Sequence, residues 1–316
     1  MTTCLVTGGS GFIGSHLVEA LLARGDAVRV LDNLSTGNAG NLEPFRQQIE
    51  FIEGDIRDEA AVGRAVKGVD TIFHEAALAS VPRSVAQPLD SHAHCCTGTV
   101  VLLDQARQAG VRRLVYAASS SAYGDLAFSS KRETDMPMPL SPYAAAKLAG
   151  EMYCQAFYRT YGLETVCLRY FNVFGPRQDP SGPYAAVIPI FIKKLLQGEA
   201  PVIYGDGKQS RDFNYVGNVV QANLLASQVP DAAGRCFNVG TGNSVSLLDI
   251  LERLTQLLGK KIAPEFHPTR TGDVRDSLAD ISQTRQVLGY VPATDLEEGL
   301  RHTVAFYRQQ AESPQA

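Results

Sequence analysis

A phenol and an ammonium four residues apart, Tyr143 and Lys147, follow Ser141-Pro142 at the start of a predicted helix, so both side chains project from one face. A phenol with a pKa near 10 is a poor base at neutral pH, and a neighbouring cation stabilises its phenolate. Bringing it to about 7 takes roughly 4 kcal/mol, which Lys147 and a second, bound positive charge could together supply. Tyr-x-x-x-Lys also occurs by chance in ordinary amphipathic helices, so the rest of the chain has to decide between the two readings. Upstream, Tyr116–Gly124 brings Ser119, Ser120 and Ser121 to the end of an apolar strand. Three hydroxyls there could orient a substrate alcohol or simply satisfy their own turn.

The deciding motif lies at the other end of the chain. Cys4-Leu5-Val6-Thr7 runs into Gly8, Gly11 and Gly14, after which Phe12-Ile13, His16-Leu17 and Ala20-Leu21 follow at helical spacing. Strand, glycine turn and helix in that order place a pyrophosphate on a helix N-terminus, where free N–H groups and the dipole favour anions. A second strand, Ala27–Leu31, ends in Asp32, eighteen residues after Gly14. An acid there accepts hydrogen bonds from an adenosine ribose and repels a 2′-phosphate, which favours NAD over NADP. The third strand, Ile49–Glu53, runs into Gly54-Asp55-Ile56, a carboxylate and an apolar side chain for the adenine edge. Without the glycines upstream, Asp32 and Asp55 would read as strand ends or helix caps.

The elements that must position these groups alternate. Thr71–His74, Arg113–Ala118 and Thr165–Arg169 read as further strands, separated by helical stretches such as Pro88–Ala109 and Pro142–Tyr161. Alternation of this kind predicts an α/β, Rossmann-type doubly wound parallel sheet. After Gly175 the pattern breaks at Pro176, Pro180, Pro183, Pro189 and Pro201; a smaller C-terminal α/β lobe of a size to hold a sugar is expected there. The 316 residues suffice for a large core, and a net charge of −4 without a basic run leaves no footprint for nucleic acid. Six cysteines without Cys-x-x-Cys spacing, no leader and no apolar run of spanning length predict a reduced, cytoplasmic protein with no membrane partner. His92, His94, Cys95 and Cys96 lie too close in sequence to converge on one point of a helix, so no metal is expected.

Together, TGGSGFIG, LDNLSTG, GDIRD, HEAALASVPRS, SSSAYG, SPYAAAK, LRYFNVFGPRQ, GDGKQSRDFNYV, FNVGTG and TGDVRDSLAD resemble the extended short-chain dehydrogenase/reductase superfamily, from residue 2 to about 307. Within it the chain is most similar to the nucleotide-sugar 4-epimerases acting on UDP-glucose and UDP-N-acetylglucosamine. The resemblance implies that Tyr143 takes the proton of the sugar 4-hydroxyl while hydride passes to NAD, that Lys147 holds the nicotinamide ribose, and that Ser119 shares the bond to the 4-oxygen. It also implies cofactor anchors at Gly8, Gly11, Phe12, Ile13, Gly14, Asp32, Asn33, Gly37, Asp55, Ile56, Ala76, Ala77 and Phe171. On the substrate side it implies Ser120, Asn172 at the pyrophosphate, Val187, Ile188 and the Val202–Tyr204 strand beside uracil, and Arg211, Arg270 and Asp273 on phosphate and ribose. Ser277 falls where a small residue leaves room for an N-acetyl group. The implied organisation is an NAD-binding domain over 1–175, rejoined by 215–240, a UDP-sugar lobe over 176–214 and 241–316, and a homodimer.

Rival members of the superfamily differ in the serine motif. A 4,6-dehydratase would carry Asp-Glu after the first hydroxyl and a UDP-glucuronate decarboxylase a Glu in the second of those places, where this chain has Ser120 and Ser121. A UDP-glucuronate 4-epimerase, whose motif is also serine-rich, is the stronger alternative; a non-catalytic NAD sensor is disfavoured by intact Ser119, Tyr143 and Lys147. The chain departs from the family at Cys95, where an asparagine is common, at Ala79, and at Gly217-Asn218, where Asp-Asp is frequent.

Overall fold

The computed structural model describes residues 2–126, 130–181, 186–269 and 275–312. Six strands, β1 (Thr3–Thr7), β2 (Ala27–Asp32), β3 (Ile49–Glu53), β4 (Thr71–His74), β5 (Arg113–Ser119) and β6 (Glu164–Tyr170), form a parallel sheet with Arg235–Val239 beyond β6. Its order runs β3-β2-β1-β4-β5-β6-(Arg235–Val239), so chain direction across the sheet reverses between β1 and β4 and leaves a crevice at their carboxyl ends. The strands are apolar throughout because both faces are covered: Cys4, Leu5 and Val6 are fully buried. On one face Leu17, Val18 and Leu21 pack with Val219, Val220 and Ala222. On the other, Leu102, Leu103 and Ala106 pack with Cys154 and Phe157.

The helix Pro142–Tyr161 starts and stops for local reasons. Ser141 accepts the Ala144 N–H at 3.2 Å, Pro142 sits at the first turn where its missing N–H costs nothing, and Gly162 closes the end in a left-handed conformation. Glu151, one turn past Lys147, makes a paired bond to Arg169 of β6 at 2.9 and 2.7 Å, with both side chains buried. That pair fixes the register of the helix against the sheet.

The stretch Pro88–Ala109, expected as one helix, is interrupted. Pro88–His92 and Gly98–Gln108 are α-helical, but Ala93–Thr97 is a π-turn. The extra residue per turn packs His94, Cys95 and Cys96 against the protein together, and such turns cluster at functional sites.

A second apolar cluster, including Ile188, Phe191, Ile192, Ile250, Leu254 and Leu300, forms the smaller lobe. Asp212 ties it to the sheet: its carboxylate accepts from the Thr241 N–H and hydroxyl, both at 2.8 Å, the Gly242 N–H at 3.0 Å and the Ala279 N–H at 3.3 Å. Lys131 adds a strap, its N–H donating to Leu278 and its carbonyl accepting from Asp280. No helix among the described residues is long and apolar enough to cross a membrane.

Candidate active site

The crevice between β1 and β4 opens into a groove whose wall includes Gly8, Gly11, Phe12, Ile13, Gly14, Asp32, Asn33, Gly37, Ile56, Ala76 and Ala77. Glycine is required at two of these for different reasons. Gly8 has φ +70° and a Cβ there would lie 2.7 Å from the Ala76 nitrogen; a Cβ on Gly14 would run into the Gly8 carbonyl. The helix Phe12–Ala23 begins at Gly11 with no side-chain cap, so its first N–H groups face the groove available to an anion. At the far end Asp32 accepts the N–H groups of Ser10 (2.9 Å) and Leu34 (2.8 Å), one on each oxygen. Each oxygen keeps acceptor capacity, as a ribose diol needs. Asp55 acts one contact back: it accepts from Asn33 at 2.8 Å and is gripped by Arg57, which holds its carboxyl well below the usual range. Glycine cradle, uncapped helix and oriented acid together fit NAD.

Away from Asp32, Tyr143 packs with Ala77 and Leu78 of the groove wall. The Ser119 hydroxyl faces the Tyr143 phenol and favours its anion against burial, and Ser119 and Ser121 share a bond of 2.8 Å. Lys147 is buried, its Nζ 4.7 Å above the Tyr116 ring, while the Tyr116 hydroxyl donates to the Lys147 carbonyl at 3.1 Å. Burial pushes the Tyr143 phenol up and the Lys147 ammonium down. Both shifts oppose the charged forms, so a positive charge brought in by a bound dinucleotide would favour the phenolate.

The π-turn serves this end too. Cys95 packs with Leu78, Cys96, Ala146 and Tyr143, and its carbonyl accepts the Thr99 hydroxyl at 2.8 Å. Thr99 in turn meets Nε2 of the fully buried His74 at 3.0 Å, whose Nδ1 meets the Thr7 hydroxyl at 2.7 Å. Because the Thr99 proton goes to Cys95, His74 carries its own on Nε2. Asn218, at the other departure, bonds Asn214 and Thr294 through its nitrogen and accepts from Ala293 and Thr294.

The substrate-side residues divide. Val202 and Tyr204 are half-buried on one face of their strand with Ile203 buried between them; Val187 is half-buried, whereas the Ile188 side chain enters the lobe core. Arg211 donates to the carbonyls of Ser210 (2.8 Å) and Arg275 (2.7 Å), directly across a parallel pairing from Ser277. Asn172 pairs with Phe213, its N–H donating to Asp212. Phe171 is buried with Tyr123, Ala279 and Ile281, and Ser120 opens the short helical turn after β5. Arg270 and Asp273 lie outside the described residues. The groove also includes residues that motif reading passed over, among them Thr36, Glu75 and His94. Of these only Glu75 left a signal in the sequence: an acid set between His74 and Ala76 at the end of an apolar run.

Residues 4–240 match the NAD dependent epimerase/dehydratase family. A UDP-glucose 4-epimerase of Mycolicibacterium smegmatis is 42% identical over 313 residues, 98% of this chain and 99% of that protein. Among solved structures, UDP-glucose 4-epimerase of Thermotoga maritima with UDP-glucose is 40% identical with a TM-score of 0.94, covering 98% of this chain and all of that one. UDP-N-acetylglucosamine 4-epimerase of Methanobrevibacter ruminantium, in complex with UDP-N-acetylmuramic acid, is 41% identical with a TM-score of 0.94, covering 98% and 99%. With the fold, the glycine cradle and the Ser119–Tyr143–Lys147 group already in place, the chain belongs to the NAD-dependent epimerase/dehydratase family.

Proposed function

We propose that the chain inverts the 4-hydroxyl of UDP-hexoses, interconverting UDP-glucose with UDP-galactose and UDP-N-acetylglucosamine with UDP-N-acetylgalactosamine through a 4-keto sugar. The observation that carries this reading is the Ser119 hydroxyl facing the Tyr143 phenol, whose anion it favours, with the Lys147 ammonium one helical turn on. Bound NAD supplies a store for the hydrogen of C4, taken from one face and returned to the other. Tyr143 removes the 4-hydroxyl proton and gives it back, Ser119 orients that oxygen, and Lys147 biases the phenol toward its anion. Ser120 and Ser121 in place of an acid leave no group to expel water, which disfavours dehydration.

In this reading residues 1–175 and 215–240 hold the cofactor, while 176–214 and 241–316 hold the UDP-sugar. Val187, Val202 and Tyr204 flank the base, Asn172, Arg211, Arg270 and Asp273 grip phosphate and ribose, and Ser277 leaves space at C2. Two copies pair through the helical stretches Pro88–Ala109 and Pro142–Tyr161, on which Leu89, Met152 and Tyr153 stand exposed. Incubation with UDP-glucose, UDP-N-acetylglucosamine and UDP-glucuronate separately, with chromatographic separation of the C4 epimers, tests the assignment. Turnover of UDP-glucuronate alone would replace it with the uronate 4-epimerase.

A further inference from the structure

Glu75 is the first residue past β4, beside the point where the sheet reverses. Its N–H continues the β1–β4 pairing onto the Thr7 carbonyl at 3.1 Å, and the residue lines the groove together with Phe12, Ile13 and Ala76. The carboxyl is held, not loose. The Tyr170 hydroxyl donates to Oε1 at 2.8 Å, and the same oxygen of Tyr170 accepts from Asn223 at 2.7 Å, which commits the phenol proton to Glu75. Asn223 is itself fixed by a bond to the Val219 carbonyl at 2.9 Å. Residues from three separate parts of the fold, the end of β4, β6 and the helix Val216–Gln228, are thus organised around one carboxyl, and the other acid among the described residues of the groove wall, Asp32, is committed to the Ser10 and Leu34 N–H groups.

The charged and titratable neighbours are few. The helix Pro142–Tyr161 brings Lys147 and Tyr143, β6 brings Tyr170, and β4 brings His74, buried and neutral. Asn223 is uncharged, and the first turn of Phe12–Ala23 contains no acid. Lys147 lies over Tyr116, which is the register partner of His74, so its ammonium and the Glu75 carboxyl share the Tyr143 end of the groove.

We propose that Glu75, held by Tyr170 and Asn223, is the counter-charge to the nicotinamide ring and sets how strongly the bound dinucleotide holds hydrogen. The proposal rests on the reading above that NAD lies in this groove with its ring toward Tyr143. The ring is positive only when oxidised, so a carboxylate nearby favours the oxidised form, and neutralising the carboxyl favours the reduced one. Burial pushes Glu75 up to about 7, against the opposing pull of Tyr170 and Lys147. Its charge therefore changes across neutral pH. A carboxylate above that point keeps the cofactor ready to accept hydrogen from a new substrate.

The test equilibrates the NAD-loaded protein with a reference redox couple between pH 5.5 and 8.5 and reads the reduced cofactor by absorbance. The quantity is the potential of the bound couple relative to free NAD at the same pH. In the unmodified protein it should fall by about 30 mV, a tenfold shift in favour of the oxidised form, as pH rises through 7. Glu75→Gln, which preserves the bond from Tyr170, should stay at the low-pH value throughout. Tyr170→Phe removes a bond that favours the carboxylate and should move the transition to higher pH. A flat profile in the unmodified protein, or a Glu75→Gln profile that follows it, overturns the proposal while epimerisation and NAD binding stand. A protein that binds no dinucleotide overturns the proposal and the assigned function together.

Discussion

Replacing His74 with glutamine should flatten the acid limb of the stability curve. The imidazole is fully buried between the Thr7 and Thr99 hydroxyls, and burial, with the Lys147 ammonium, pushes its pKa from 6.5 down to about 3. Between those values the unfolded chain binds a proton that the folded chain excludes, so stability is whole above pH 6.5 and is lost as pH falls toward 3. At about 1.4 kcal/mol per pH unit, acidification from 6.5 to 4 costs the unmodified protein about 3 kcal/mol through this one group. Glu75 runs the other way: its raised pKa contributes stability that is present below 4.5 and is lost as pH rises toward 7. Comparing two proteins that both retain Glu75 cancels that opposing slope. The assay is reversible urea unfolding at pH 7, 6, 5 and 4. Glutamine lowers the baseline by disturbing two hydrogen bonds, but the informative quantity is the slope. Parallel curves for the two proteins would refute the assignment of His74 as a buried neutral base.

Three further substitutions probe the site. Tyr143→Phe should leave the fold and NAD binding intact and lower turnover by about 10²- to 10⁴-fold, measured as steady-state kcat; near-normal turnover removes Tyr143 from the mechanism. Asp32→Ala should weaken NAD and narrow its advantage over NADP, because the carboxylate that repels a 2′-phosphate is gone; calorimetric titration of both cofactors reads the change, and equal affinities in the unmodified protein contradict the role. Ser277→Tyr should abolish turnover of the N-acetylated pair and spare UDP-glucose, since overfilling a packed site costs about 1–3 kcal/mol or more; the ratio of kcat/KM for the two pairs decides it, and equal slowing of both ends the gatekeeper reading.

Much of this architecture is legible before any coordinates, and the reasons are local. The turn announces itself at Gly8 and Gly14 because close backbone approach leaves no alternative residue. The bounds of Pro142–Tyr161 follow from Ser141, Pro142 and Gly162, each acting within one turn of the helix end. What escapes is non-local. The π-turn at Ala93–Thr97 has no signature in residue type; it accommodates a Cys95 carbonyl that serves Thr99 and, through it, His74 on another element. Glu75 reads in sequence as a polar residue ending a strand, because Tyr170 and Asn223 come from distant parts of the chain. Ile188 falls inside a motif associated with the base, yet helical periodicity turns its side chain into the core with Phe191 and Ile192.

In the proposed mechanism the hydrogen at C4 leaves and returns without meeting solvent, while Tyr143 handles only the hydroxyl proton. Turnover of UDP-glucose by the NAD-loaded protein in D₂O, followed by NMR of the isolated UDP-galactose, tests it directly. The expected product is the epimer with protium retained at C4. Deuterium at C4, or the absence of any epimer, would contradict it.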